Sequence, residues 1–303
     1  MTASTTPTER PDRDRPARTP FTPESRMWDE VGLITFPFTA GSAFLLQTME
    51  PSIAAVVDEH STFRTDPMGR AMRSIASVMM WIYGGDEALA EADRLRTMHA
   101  SLNSVDVQGV RHTALSSGPW AWVLHTAVYA YTEGNRPFTR TPLTEADKEE
   151  YYREVVQLMR NFSVAPKEIP ETYAEWLDYF HDKVENHLVA TTVADDFLRV
   201  SRRVGAPAFL PRPLRPAWRI ATAPVSRMQY FFTVGTTPPS AREKLGLTWT
   251  ATDEATLRAL GWIIGRTVPR LPERLRYFPI AYEARRLERD RARLRRMIDL
   301  RPV

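Results

Sequence analysis

The sequence predicts an all-α protein, and three observations carry that prediction. From Trp28 onward apolar residues recur with a period near 3.6, prolines and Asp or Thr caps stand at the starts of the apolar runs, and strand-like alternation is scarce. The chain has 303 residues, enough to bury about three quarters of its unfolded surface without a disulfide or metal staple. Apolar residues at 43% and charged residues at 25% exclude a wholly disordered or fibrous chain. The absence of cysteine excludes a disulfide framework, a Cys-ligated zinc site, an iron–sulfur cluster and a thiol nucleophile. Forty Lys and Arg against 37 Asp and Glu leave a net charge of only +3. With no aromatic residues interleaved among the arginines, nucleic acid is not an expected partner.

The elements follow in order. Residues 1–24 are rich in proline and alternating charge and have no apolar centre, so they read as a disordered arm, neither a secretory nor a twin-arginine signal. Residues 25–303 form the helical body. Its most apolar stretch, Val31 to Val57, is broken by Pro37, Gln47, Glu50 and Pro51, so no membrane span is predicted and a cytoplasmic protein is expected. Pro51 opens an apolar helix, and Asp66-Pro67 starts another that Gly84-Gly85 ends. The next runs from about Asp86 to Leu102. Pro119 opens WAWVLHTAVYAY, apolar nearly all round and therefore buried. Thr144 with Asp147 resembles a capping box, and further helices cover Thr172–Val189 and Thr192–Val204. Between Ala206 and Pro239 clustered prolines and aromatics predict a packed, irregular crossover. Helix resumes from Asp253 to Thr267 and in the Arg-rich tail from Glu283.

No GxGxxG, Walker loop, GxSxG or HExxH motif is present. The six histidines, at 60, 99, 112, 125, 181 and 187, are what remains for chemistry. His99 follows Ala88, Ala92 and Leu95 at spacings of four, three and four, on the apolar stripe of its helix. One reading is a hydrogen-bonded core histidine. The other is an axial metal ligand: one imidazole suffices for haem, whose porphyrin supplies four nitrogens. His125 and Thr126 interrupt the buried helix, either as core hydrogen-bonding groups or facing a cofactor, with His125 the reserve ligand. In DPMGRAMRSIASVMMWIYGG, Arg70, Arg73, Ser74 and Ser77 gather on one strip. That strip is either a solvated face or a set of donors for bound dioxygen or peroxide.

MEPSIAAVVDEHSTFRTDPMGRAMRS, MHASL, PWAWVLHTAVYA and PLTEADKEEYY, in that order and approximate spacing, resemble the MpaB-type oxygenase and latex-clearing (rubber oxygenase) family. The resemblance runs from about Met27 to Arg202 and implies a helical b-type haem protein with a globin-like core. It implies His99 as the proximal iron ligand, Arg70 and Ser74 as distal residues, and Thr126 as a pocket residue. Arg73 stands where latex-clearing members carry a lysine, and an arginine holds no lone pair to offer iron. Ser74 stands for a threonine, Glu50 for the histidine of a Met-His-Pro turn, and Asn103 for an arginine of rubber-cleaving members. His112 lies where a tyrosine-containing segment is common. These departures point away from rubber and towards a small or medium apolar substrate, such as a terpenoid or natural-product intermediate, oxidised with dioxygen or peroxide. The alternatives are a haem peroxidase or peroxygenase and a non-catalytic helical protein binding haem or an apolar ligand. Arg266, Arg270 and Arg274 are candidates for the haem propionates. The basic tail reads as a solvated helix, and the 206–239 region leaves peripheral contact with an anionic membrane open. The oligomeric state is not legible.

Overall fold

In the computed structural model, residues 17–299 apart from 107, 204, 208 and 209 are described. They form fourteen α-helices, several short 3-10 or π turns and one small ribbon. The helices are α1 (Arg26–Glu30), α2 (Phe36–Thr48), α3 (Pro51–His60), α4 (Pro67–Tyr83), α5 (Asp86–Ala100), α6 (Ser117–Tyr131) and α7 (Glu145–Asn161). They continue as α8 (Tyr173–Asp182), α9 (Thr192–Ser201), α10 (Arg215–Thr236), α11 (Pro239–Lys244), α12 (Ala251–Thr267), α13 (Glu273–Arg276) and α14 (Pro279–Asp299). The ribbon pairs β1 (Asn103–Val105) with β2 (Arg111–Thr113) antiparallel, Asn103 opposite Thr113. Among the described residues no helix is long and apolar enough to cross a membrane.

The all-α prediction holds because the start signals act locally. The Asp66 carboxylate accepts from the Gly69 amide, with Pro67 at the first helical position where no N–H is needed. Thr144 with Asp147, and Thr250 with Asp253, close reciprocal capping boxes at α7 and α12. Helices with no polar face must lie inside. Accordingly α2 packs against α6 on one side and α10 on the other, and α6 continues onto α7. The indole of Trp122, fully buried on α6, donates to the Leu46 carbonyl of α2 at 3.1 Å. Its ring stacks on Phe180, which stacks in turn on Tyr129.

Two boundaries differ from expectation. The arm predicted over 1–24 is packed at its end: Thr19 bonds Asn161, Arg18 pairs with Asp93, and Phe21 is buried. Residues 1–16 of that arm lie outside the described residues. The predicted irregular crossover contains instead the 22-residue helix α10. Pro216 falls in its first turn, where a missing N–H costs nothing. Pro224 stands exposed in mid-helix, on the side where an unbonded carbonyl reaches water. Prolines break helices that are buried all round; this one is solvated where they occur.

Two close approaches fix the C-terminal helices. At Gly261 and Gly265 α12 lies so near the 136–139 segment that a Cβ would collide with the Pro137 and Phe138 carbonyls. At the end of α11 the Lys244 ammonium donates to the carbonyls of Val184, Glu185 and Leu188 at 2.7–2.9 Å. It thereby satisfies the π turn Lys183–His187 that ends α8.

Candidate functional site around His99

Helices α4 and α5 run antiparallel, joined by Gly84 and Gly85, the latter at φ +56°, which favours glycine. Their register is set where Ser77 Oγ donates to Glu91 at 2.6 Å, the same carboxylate that takes the Arg94 guanidinium. One turn towards the open end brings Ser74 level with Arg94 and Leu95, and the next brings Arg70 level with Met98 and His99.

His99 sits half-buried on the stripe whose Ala88 and Ala92 are fully inside, as its spacing predicts. Its Nδ1 lies 2.7 Å from the Leu95 carbonyl. A carbonyl only accepts, so Nδ1 carries the proton and Nε2 carries the lone pair of the neutral ring. Nε2 has no hydrogen-bond partner among the described residues. Desolvation lowers the pKa of His99, and the charges of Arg70 and Arg94 lower it further, against the bond to Leu95. The ring is therefore neutral near pH 7, the form that ligates metal. The Trp120 indole meets it edge to face at 5.3 Å and is itself anchored to the Phe162 carbonyl.

Arg70 and Ser74, one turn apart on α4, bond each other. Arg70 is exposed, and desolvation by the surrounding protein together with the charge of Arg73 lowers its pKa. No carboxylate pairs with it among the described residues. Arg73 is drawn the other way, to Asp66 at 3.2 Å and Thr62 at 3.0 Å. The structure thus groups His99, Arg70 and Ser74 and turns the Arg73 guanidinium aside.

The remaining candidates lie elsewhere. Helix α5 ends at Ala100, so Asn103 does not continue the His99 face; it opens β1, its amide held by Ser101 and Arg111. The hairpin is pinned to α3 by His60 on the Asn103 carbonyl and by His112 between Ser52 and Asp106. Thr126 is fully buried, donating to the Val123 carbonyl and accepting from Gln47. His125 is fully buried too, its Nε2 on the Glu168 carbonyl at 2.9 Å. Burial, with the charge of Lys183 adding to it, pushes its pKa down to about 4. Arg266 lies in the last turn of α12, which packs on residues 136–138 and α10, and Arg270 ends the 3-10 turn Val268–Arg270 that follows; Arg266 covers Trp262, and Arg270 reaches the Arg266 carbonyl. Arg274 is on α13, which packs on α14.

Reasoning from sequence missed Trp120, and it missed the Ser77–Glu91–Arg94 bridge that sets the register. The Leu95 anchor was there to find, four residues before His99. Two surface recesses, of about 240 and 330 Å³, are lined respectively by residues around Tyr129 and His181 and by residues around Tyr230 and Trp249; neither includes His99 or Arg70. No group of three His, Cys, Asp or Glu among the described residues is placed to hold a metal ion.

Comparison with curated proteins and with solved structures returns no match. A family model described as "ER-bound oxygenase mpaB/B'/Rubber oxygenase, catalytic domain" matches residues 28–266, more than three quarters of the chain and the whole span from α2 to α11. The chain belongs to the MpaB and rubber oxygenase catalytic-domain family, and is an oxygenase-type domain by that membership.

Proposed function

We propose that the protein is a haem b-dependent oxidoreductase, oxygenase-like, that acts on a small or medium apolar substrate with dioxygen or peroxide. The observation that carries the proposal is the state of His99: Nδ1–H fixed on Leu95, the ring neutral, Nε2 bare. A histidine ligand is held in this way by a carbonyl on its other nitrogen. A single such ligand is all that a porphyrin iron requires from the protein. Family membership supports the oxygenase reading independently.

In this reading His99 holds the iron, which supplies the redox chemistry of oxygen. Trp120 fixes the plane of the imidazole by its edge contact. Arg70, without a carboxylate partner, offers its guanidinium to a carboxylate or to an oxygen gaining negative charge. Ser74 holds that guanidinium in place and supplies a hydroxyl beside it. Arg73, neutralised by Asp66, orders the start of α4 and stays out of the reaction.

The test is the visible spectrum of protein expressed with haem precursor, with haem quantified as the pyridine haemochrome. A Soret band at about one haem per chain is expected. His99→Ala should lose the haem and His125→Ala should keep it. A colourless protein that takes up no added haem would return His99 to a plain core histidine. Turnover of apolar substrates with dioxygen plus reductant, or with peroxide, then separates oxygenase from peroxygenase.

A further inference from the structure

Of the six histidines, His112 alone among the described residues has both ring nitrogens bonded. Its Nε2 lies 2.8 Å from Asp106 Oδ2, and its Nδ1 lies 3.0 Å from Ser52 Oγ. The three groups come from separate segments: Ser52 from the first turn of α3, His112 from β2, and Asp106 from the loop that joins β1 to β2. They meet because the hairpin packs on α3.

The acid sets the protonation of the ring. The bond from His112, with the Val110 and Gln108 amides on Oδ1 at 2.9 Å, holds the pKa of Asp106 below its ordinary value. An ionised carboxylate only accepts, so the neutral imidazole carries its proton on Nε2 and its lone pair on Nδ1. Ser52 therefore donates its hydroxyl proton to Nδ1. A nucleophile, a base within hydrogen-bond reach and a third group that orients the base are the parts of an acyl-transfer relay. Such a relay is recognised by geometry and not by a sequence motif. Here the two ring nitrogens exchange the places they take in serine proteases, which leaves the path of the proton unchanged. A structural joint alone would need none of this, since His60 already ties the hairpin to α3 through the Asn103 carbonyl.

We propose that Ser52, His112 and Asp106 form a second catalytic site, one that hydrolyses carboxylic esters of small acyl groups. All three side chains are partly exposed between α3 and the hairpin, so an ester reaches Oγ but a bulky acyl group does not. Oγ bonds to the ester carbonyl carbon as His112 Nδ1 takes its proton, and Asp106 stabilises the imidazolium. The Ser52 amide has no acceptor among the described residues and is available to the oxyanion. The bond to the alcohol oxygen then breaks, and His112 returns the proton to the departing alkoxide. Water, deprotonated by the same nitrogen, splits the acyl-serine to the acid and frees Oγ. No oxidant or reductant enters, so the proposal does not depend on haem.

The experiment treats the full chain with a fluorophosphonate, which bonds phosphorus to an activated serine and releases fluoride, and maps the adduct by peptide mass spectrometry. Hydrolysis of p-nitrophenyl acetate is followed in parallel. The adduct is expected on Ser52, and both adduct and turnover should be lost in Ser52→Ala. Asp106→Asn sets an amide against Nε2 and favours the wrong tautomer, so it should slow labelling and turnover by at least about a hundredfold, as should His112→Gln. Melting temperatures near that of the parent show that the variants fold. No adduct on Ser52 in the parent, equal labelling of heat-denatured protein, or turnover that survives Ser52→Ala would overturn the proposal. Labelling at the parental rate in Asp106→Asn and His112→Gln would overturn it too, and leave His112 as a joint between hairpin and helix.

Discussion

His125 gives the protein a stability that depends on pH, with a size that follows from its surroundings. The folded ring is neutral, with Nε2–H on the Glu168 carbonyl and a buried Nδ1 that has no partner. Protonation would add a second N–H with nothing to accept it, close to the Lys183 ammonium. The folded pKa is accordingly down at about 4, against 6.5 for the free side chain. The unfolded chain thus takes up a proton near pH 6.5 that the folded chain refuses, so stability falls as pH drops below 6.5 and levels off below 4. At about 1.36 kcal/mol per pKa unit, the loss between pH 7.5 and 4.5 is about 2.5 kcal/mol from this group. Urea unfolding at a series of pH values reads it, with His125→Gln, which does not titrate, as the reference. Carboxylates contribute a background to both proteins, so the gap between the two curves is what counts. The advantage of the parent at pH 7.5 should shrink by about 2.5 kcal/mol by pH 4.5. Parallel curves would mean that His125 is not a buried neutral histidine, and the packing of α6 against residues 166–169 would be wrong.

Four further outcomes are expected. Arg70→Met removes a cation that disfavours the charge on His99, so the apo-protein His99 pKa should rise, followed by proton NMR of the ring; no movement would separate the two side chains. Gly261→Ala forces a methyl against the Pro137 carbonyl and should cost about 1–3 kcal/mol, read as a lower melting temperature. Thr250→Ala removes the side-chain half of the α12 capping box, the hydroxyl that accepts from the Asp253 amide, and should cost about 1 kcal/mol in denaturant unfolding, with Thr250→Ser restoring most of it. Trp122→Ala should cost about 3–5 kcal/mol, since it empties a fully buried site and leaves the Leu46 carbonyl without its donor.

What could be read from the sequence was what short-range physics decides. The Asp66-Pro67 start, the Gly84-Gly85 stop and the place of His99 on its stripe each depend on residues within a turn or two. His125 and Thr126 were legible as buried but not as to what they touch, because Glu168 and Gln47 come from distant segments. Arg266 and Arg270 illustrate the same limit: guanidinium chemistry suits a propionate, but the packing of α12 on residues 136–138, set by Gly261 and Gly265, decides where they stand. Helix α10 was hidden by its prolines, whose cost depends on which side faces water. Arg73 shows that a residue at the right position on a helix can be claimed by a nearer partner, here the cap carboxylate of its own helix.

The three carbonyl bonds of Lys244 bear on how the molecule can be handled. The chain has only four lysines against 36 arginines. Lys148 bridges Glu133 and Glu145, Lys183 faces Glu50, and Lys244 spends all three of its N–H donors on the π turn. Lys167 faces Glu168 at 3.7 Å but, at 76% side-chain exposure, is far more accessible than the 17% of Lys183 or the 20% of Lys148. Among the lysines, an amine-directed dye, biotin or resin should therefore attach at Lys167 first. Acylation that goes on to reach Lys244 would uncap the π turn and report its opening as a change in labelling rate.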